Sequence, residues 1–187
     1  EGVEGQEAQA RALHAFVGEA LDKRNMGSGS ASGALLQREG NPVIVYAALL
    51  GAVGIDCEIV RSRGMDPRGD PEPDPAFIDL DRWYGPMYVL VRPDDGEPAW
   101  CDLRVKTMPY GERLLDAPLA EAISLTSGEW MTMPDIPLEQ LSGESTKLVI
   151  APATDRSARI SIEFAPTGNV GFMWKEGLRE APTTQLK

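Results

Sequence analysis

The sequence predicts an α+β fold, in which a buried helix packs on an antiparallel sheet. The segment from Pro42 to Ile55 is apolar on nearly every side, which is typical of a helix at the centre of a core. Short runs rich in β-branched residues follow it and are separated by turn signals, as in antiparallel strands. The 187 residues suffice for one domain and part of a second.

The helices are predicted from periodicity and from capping residues. A first helix is expected over residues 6–24, where apolar residues recur at helical spacing. A short helical turn is expected at 34–38. The buried helix should be capped by Asn41, start with Pro42 and end at Gly54.

Strands are predicted at 55–61, 87–92 and 99–103, and the residues at 93–96 give the hairpin signal between the last two. The alternation in the first strand puts Ile55, Cys57 and Ile59 on one face. We therefore expect that face to contact the buried helix.

The C-terminal part of the sequence predicts a smaller β-rich piece. Residues 112–146 contain several prolines and show weak periodicity, so they predict no element. Strands are expected at 147–151, 158–165 and 170–175, with a turn at 166–169 between the last two.

Composition and charge exclude several classes of function. With one His and two Cys, the chain lacks the four ligands of a structural zinc site and the many Cys of a disulfide scaffold. A formal net charge of −11 argues against binding to nucleic acid or to an anionic membrane surface. The longest apolar run is shorter than the roughly 20 residues of a membrane span, so no membrane insertion is expected.

Residues 38–60 read REGNPVIVYAALLGAVGIDCEIV and resemble the core of the transglutaminase-like superfamily, which shares its fold with papain-like cysteine proteases. In that family a catalytic Cys opens a buried helix that ends in Leu-Leu-x-Ala-x-Gly-Ile, and residues 49–55 have this ending. The continuations MPYGERL and LAEAISL are similar to large bacterial proteins in which such a domain lies between β-rich modules. The resemblance implies a transglutaminase-like domain at 1–125, a connecting segment at 126–146 and the start of a β-rich module at 147–187.

The chemistry of this family needs a Cys thiolate, a His that forms it and an Asp that orients the His. The family spacing puts these three at Glu39, Met87 and Asp102 in this chain. Only the Asp is retained. Because triad members act as a unit, the resemblance implies a pseudoenzyme, which would be a binding or scaffold module of a larger bacterial protein.

The alternative is an active thiol acyltransferase or peptidase of the transglutaminase type with rearranged catalytic residues. Its candidates would be Cys57, Cys101 and His14. Both Cys are expected to be buried hydrophobes, and His14 a solvated or partly buried helix residue. The strand at 87–92 should separate the two Cys and keep them from forming a disulfide.

A degenerate cleft of this fold could hold a protein segment or a small ligand. The residues expected around it are Glu39, Asn41, Trp83, Tyr84, Met87, Trp100 and Asp102. Packing in the core or in a lid is the other interpretation of the aromatic residues. A third hypothesis is a spacer that separates two β-rich modules and binds nothing.

No cofactor or metal is expected. The acidic, Pro-rich loop 63–82 offers oxygen ligands for Ca²⁺ but lacks the Gly-centred turn of an EF-hand, and we interpret it as a solvated loop. The resemblance favours a bacterial cell envelope, whereas two unpaired Cys are equally compatible with the cytoplasm.

Overall fold

A computed structural model describes most of the chain, namely residues 4–27, 29–62, 85–114, 121–135, 143–152, 158–168, 171 and 174. The chain divides into two compact units, Glu1–Asp135 and Ile136–Lys187. The boundary falls inside the segment at 126–146 that the sequence predicts as a connection. Helices and antiparallel sheets are both present, so the predicted α+β class is confirmed.

Three helices and two short strands form the N-terminal part of the first unit: α1 (Gln6–Ala20), β1 (Lys23–Arg24), α2 (Ala31–Gln37), β2 (Glu39–Gly40) and α3 (Pro42–Ala52). The prediction that the first helix continues to residue 24 is wrong. The backbone N–H groups of Asp22 and Lys23 donate to Arg38 O at 2.8 and 3.2 Å, and β1 then pairs in parallel with β2. Tertiary pairing therefore replaces the last helical turn.

The helix α3 is the buried helix that the sequence predicts. Asn41 Oδ1 accepts a hydrogen bond from Val43 N at 3.0 Å, and Pro42 takes the first helical position. After Ala52 the chain turns at Gly54, whose φ of 76° lies in the left-handed region that favours glycine. Both predicted ends are confirmed.

Five antiparallel strands form the main sheet in the order β5-β4-β3-β6-β7. Their bounds are β3 Asp56–Ser62, β4 Met87–Arg92, β5 Ala99–Cys101, β6 Glu121–Ser124 and β7 Trp130–Thr132. The strands predicted after the buried helix are confirmed, although β5 ends two residues early. The strands β6 and β7 lie where the sequence predicts no element, because three or four residues are too few to establish an alternation.

The sheet carries a core on each face. On the side of the helices, Val89 and Cys101 pack with the buried residues of α1 and α3, and Cys57 is partly buried there. On the opposite side, Tyr88 and Trp100 pack with residues of β3, β6 and the segment after β7. Successive residues of β4 and β5 thus serve different cores, as strand geometry requires. We call these the helix-side core and the far-side core.

The second unit contains a hairpin of β8 (Gly143–Pro152) and β9 (Ala158–Thr167). Two of its three predicted strands are confirmed, and both extend beyond their predicted ends. The third prediction is wrong at the residues that the structure describes, because Gly171 and Trp174 are helical. Gly168, with φ 56°, takes the chain out of the extended conformation after β9.

Within the described ranges, no helix has the length and apolar character needed to cross a membrane.

Candidate functional site

A cavity of about 290 Å³ lies at the N-terminal end of α3. Residues of α2, β2 and the chain before them form its walls, including Asn25, Ser30, Gly33, Gln37, Glu39 and Asn41. Most of these side chains carry hydroxyl, carboxamide or carboxylate groups. The cavity can therefore offer several hydrogen bonds to a ligand.

Two capping side chains fix the walls of this cavity. Asn41 accepts from Val43 N through Oδ1 and donates through Nδ2 to Gly27 O at 3.2 Å. Ser30 Oγ accepts from Gly33 N at 3.1 Å and caps α2. Because these side chains also hold the helix ends, the cavity is built into the fold.

Glu39 brings a negative charge to the cavity. No Lys or Arg is among the residues that line it. Glu39 forms an ion pair with Lys23, whose Nζ lies 3.8 Å from Glu39 Oε2. Both side chains are at least half exposed. Such an exposed pair is weak, so the carboxylate remains able to accept hydrogen bonds from a ligand.

Gly40 closes the back of the cavity because only a residue without Cβ fits there. A Cβ on Gly40 would come within 2.5 Å of Ala34 Cβ, and its φ of 157° lies in a region that other residues rarely adopt. The close approach brings α2 against β2, which are the two elements on either side of the cavity.

Asp102, where the resemblance expects the carboxylate of a triad, has a structural role in this fold. Its buried carboxylate accepts hydrogen bonds from Arg104 N at 3.1 Å, Arg104 Nε at 2.9 Å and Leu114 N at 3.2 Å. The Arg104 guanidinium also lies 5.7 Å from the centroid of the Tyr88 ring, in the far-side core. Asp102 thus holds together the two ends of the loop that follows β5.

Two further predicted site residues, Met87 and Trp100, lie apart from the cavity. Met87 is partly buried against the helix-side core, and Trp100 is buried in the far-side core with the Arg113 guanidinium 5.8 Å from its ring centroid. Trp83 and Tyr84 lie outside the described residues. Of the predicted site residues that the structure describes, only Glu39 and Asn41 line the cavity.

Both thiols are protected by burial. Cys57 is half-buried, its Sγ donates to Ala47 O at 3.7 Å, and burial raises its pKa. Cys101 is fully buried, which raises the pKa of its thiol to about 12. Cys57 pairs with Val91 and Cys101 with Val89, so β4 lies between the two Cys as predicted. Both thiols are free.

His14 is buried, which corrects the prediction of a solvated or partly buried side chain. It is 6% exposed and packs edge-on against Tyr46 and Tyr110. Its spacing from Ala10 and Val17, both buried on α1, is the helical period that should have placed it in the core. Tyr46 is buried in α3, and its hydroxyl donates to Ala10 O at 3.0 Å.

The environment of His14 disfavours its charged form. Burial and the nearby Arg24 charge lower its pKa to about 4, and the Asp102 charge opposes this effect. Its Nε2 has no hydrogen-bond partner, and no Cys–His hydrogen bond occurs among the described residues. In the same part of the chain, no three His, Cys, Asp or Glu side chains are arranged to hold a metal ion.

Comparison with known proteins gives no match. No family model fits the sequence, and the searches of curated proteins and of solved structures return no significant similarity.

Proposed function

We propose that the first unit is a non-catalytic, transglutaminase-like binding domain of a larger bacterial protein. Its cavity at the start of α3 would bind a protein segment or a small ligand. The observation that carries this proposal is the position of Glu39, which stands in the cavity wall where the resemblance requires a nucleophilic Cys. A pocket needs no nucleophile in its wall to bind a ligand.

The order of elements supports the transglutaminase-like part of the proposal. A capped, buried helix leads into an antiparallel sheet in which β3, β4 and β5 are adjacent. The positions that correspond to the family's Cys, His and Asp fall just before α3, at the start of β4 and just after β5. These are the places where the resemblance expects them.

The state of the thiols supports the absence of acyl transfer. Burial raises the pKa of Cys101 to about 12, so its thiol is protonated at pH 7. Cys57 is also shifted towards the thiol. The buried His14 is neutral at pH 7 and packs edge-on against the rings of Tyr46 and Tyr110. A thiol nucleophile needs a base within hydrogen-bond reach.

The lining of the cavity indicates what it can bind. Its volume of about 290 Å³ is at the lower end of ligand pockets, so it fits one side chain or a small polar molecule. Carboxamide and hydroxyl groups recognise polar partners, and Glu39 favours an N–H donor or an ammonium group over an anion. A peptide side chain with a terminal amine or amide meets these requirements.

The test is a fragment titration followed by ¹H–¹⁵N NMR of the full chain, with butylamine, acetamide and propionate as probes. We expect the amine and the amide to shift the amide signals of Gly29, Gly40 and Asn41, and propionate to have a smaller effect. Glu39→Gln should weaken the amine response and retain the acetamide response. The matched control Glu121→Gln changes an exposed carboxylate on β6 and should change neither. No response at the cavity to any probe would favour the spacer hypothesis.

A further inference from the structure

The β8–β9 hairpin separates its side chains into an apolar and a polar face. Leu148 stands opposite Ile162, and Ile150 stands opposite Ile160. Opposed residues of an antiparallel pair project from the same side, and Phe164 continues that side two residues further along β9. The Trp174 ring packs on Phe164 with centroids 5.1 Å apart. We call this set the apolar hairpin face: Leu148, Ile150, Ile160, Ile162, Phe164 and Trp174.

The other face of the hairpin is mainly polar. Lys147 pairs with Glu163, and the Lys147 Nζ lies 3.3 Å from Glu163 Oε2. Ser161 projects from the same side, opposite Val149. The Lys147–Glu163 pair is thus placed away from the apolar hairpin face, as in a sheet with one face towards a core.

The apolar hairpin face is open to solvent. Its side chains are between 36% exposed, at Phe164, and 66% exposed, at Ile162. Soluble monomers rarely expose contiguous apolar patches of this kind, and a two-stranded hairpin alone is marginally stable in water. The apolar hairpin face is therefore expected to pack against another surface.

We infer that the apolar hairpin face packs against the same face of a second copy of this chain. The two hairpins then form a four-stranded sandwich about a twofold axis. Taking about 200 Å² for each large apolar side chain, the face leaves on the order of 650 Å² open per copy, and a pair buries about 1,300 Å². A stable interface buries about 1,200–2,000 Å². The area is sufficient for a specific dimer.

The distribution of charge favours a second copy of the chain, rather than a basic partner protein, as the occupant of the apolar hairpin face. None of the six residues of the apolar hairpin face is charged, so a twofold contact centred on them places no like charges directly against each other. The net charge of −11 per chain produces only a long-range repulsion between the two copies. Salt screens that repulsion, so the dimer should tighten as ionic strength rises, whereas a complex with a basic protein should weaken.

Sedimentation equilibrium of the full chain from about 1 to about 200 μM tests the inference. We expect a monomer–dimer equilibrium that shifts towards dimer in high salt. Ile162→Lys should raise the dissociation constant at least about tenfold, because it buries a charge in the contact. The matched control Ser161→Lys makes the same change in charge on the neighbouring residue of the other face and should still dimerise.

Two results would overturn the inference. A wild-type chain that remains monomeric at the highest concentration would show that something other than a copy covers the face. Equal dimerisation of Ile162→Lys and Ser161→Lys would place the contact elsewhere, such as on a strand edge. Both residues are exposed, and circular dichroism of each variant establishes that it is folded before the comparison.

Discussion

His14 lies edge-on to Tyr46 in the helix-side core, with ring centroids 5.6 Å apart and ring planes at 85°. The contact joins α1 to α3, since the Tyr46 hydroxyl also donates to Ala10 O on α1. It places the single His of the chain against the rings of Tyr46 and Tyr110. The residue that could have served as a catalytic base is thereby part of the packing between two helices.

This burial predicts that acid destabilises the first unit. The unfolded chain binds a proton at His14 near pH 6.5, whereas the folded chain binds it only near pH 4. Between these values the unfolded state holds more protons, so the free energy of unfolding falls as pH falls, by about 3 kcal/mol in total. Urea unfolding followed at 222 nm should show this dependence. His14→Leu should lack it, and an identical pH profile in both proteins would contradict the assignment.

Removal of the Asp102 carboxylate should be strongly destabilising. Asp102→Ala leaves Arg104 and the Leu114 N–H without their acceptor, and we expect a loss of about 3–5 kcal/mol in the free energy of unfolding. Asp22→Ala is the control, because Asp22 forms an equally short ion pair with Arg38 at the surface. It should cost much less than Asp102→Ala, because an exposed ion pair contributes little to the free energy of unfolding. If urea unfolding gave equal losses in the free energy of unfolding for both variants, the buried carboxylate of Asp102 would not be stabilising the loop after β5.

Thiol labelling should find no activated cysteine. With native protein at pH 7, iodoacetamide should modify Cys101 at least about 100-fold more slowly than in urea, because the thiol is buried and protonated. Cys57, which is half-buried, should react at an intermediate rate. Peptide mass spectrometry separates the two sites. Rapid modification of one site in the folded protein would support the alternative of a rearranged thiol enzyme.

A methyl group at Gly40 should disturb the cavity, whereas one at Gly51 should not. Gly40→Ala forces Cβ against Ala34 and should lower the free energy of unfolding by about 1–3 kcal/mol. Gly51 lies exposed in α3 with nothing near an added Cβ, so Gly51→Ala should raise it by about 1 kcal/mol. Thermal unfolding of the two variants tests whether the first is destabilised and the second stabilised. A stabilised Gly40→Ala would show that α2 and β2 are not closely packed.

Local signals account for the parts of the fold that the sequence predicts. Asn41, Pro42 and Gly54 mark the ends of α3 through capping and backbone preferences that act within a few residues. The alternation of β3 and β4 is likewise set by neighbours along the strand. These elements were predictable because each carries its own pattern.

Elements defined by pairing were not predictable in this way. The two-residue strand β1 exists because its backbone meets β2, and β6 is held by its register with β3, in which Val60 faces Ser124. The cavity depends on the same kind of contact. Glu39 and Asn41 could be placed near it from the resemblance, but the contribution of Ser30 and Gly33 required the packing of α2.

Intermolecular nuclear Overhauser effects between bound butylamine and the methyl groups of the protein test the central claim most directly. The cavity predicts contacts to the Ala34 and Ile44 methyls, which line it. Glu39→Gln should weaken them. Contacts to Met87, or to the methyl of Met131 in the far-side core, with none at Ala34 and Ile44, would contradict the account. Binding would then occur away from the start of α3.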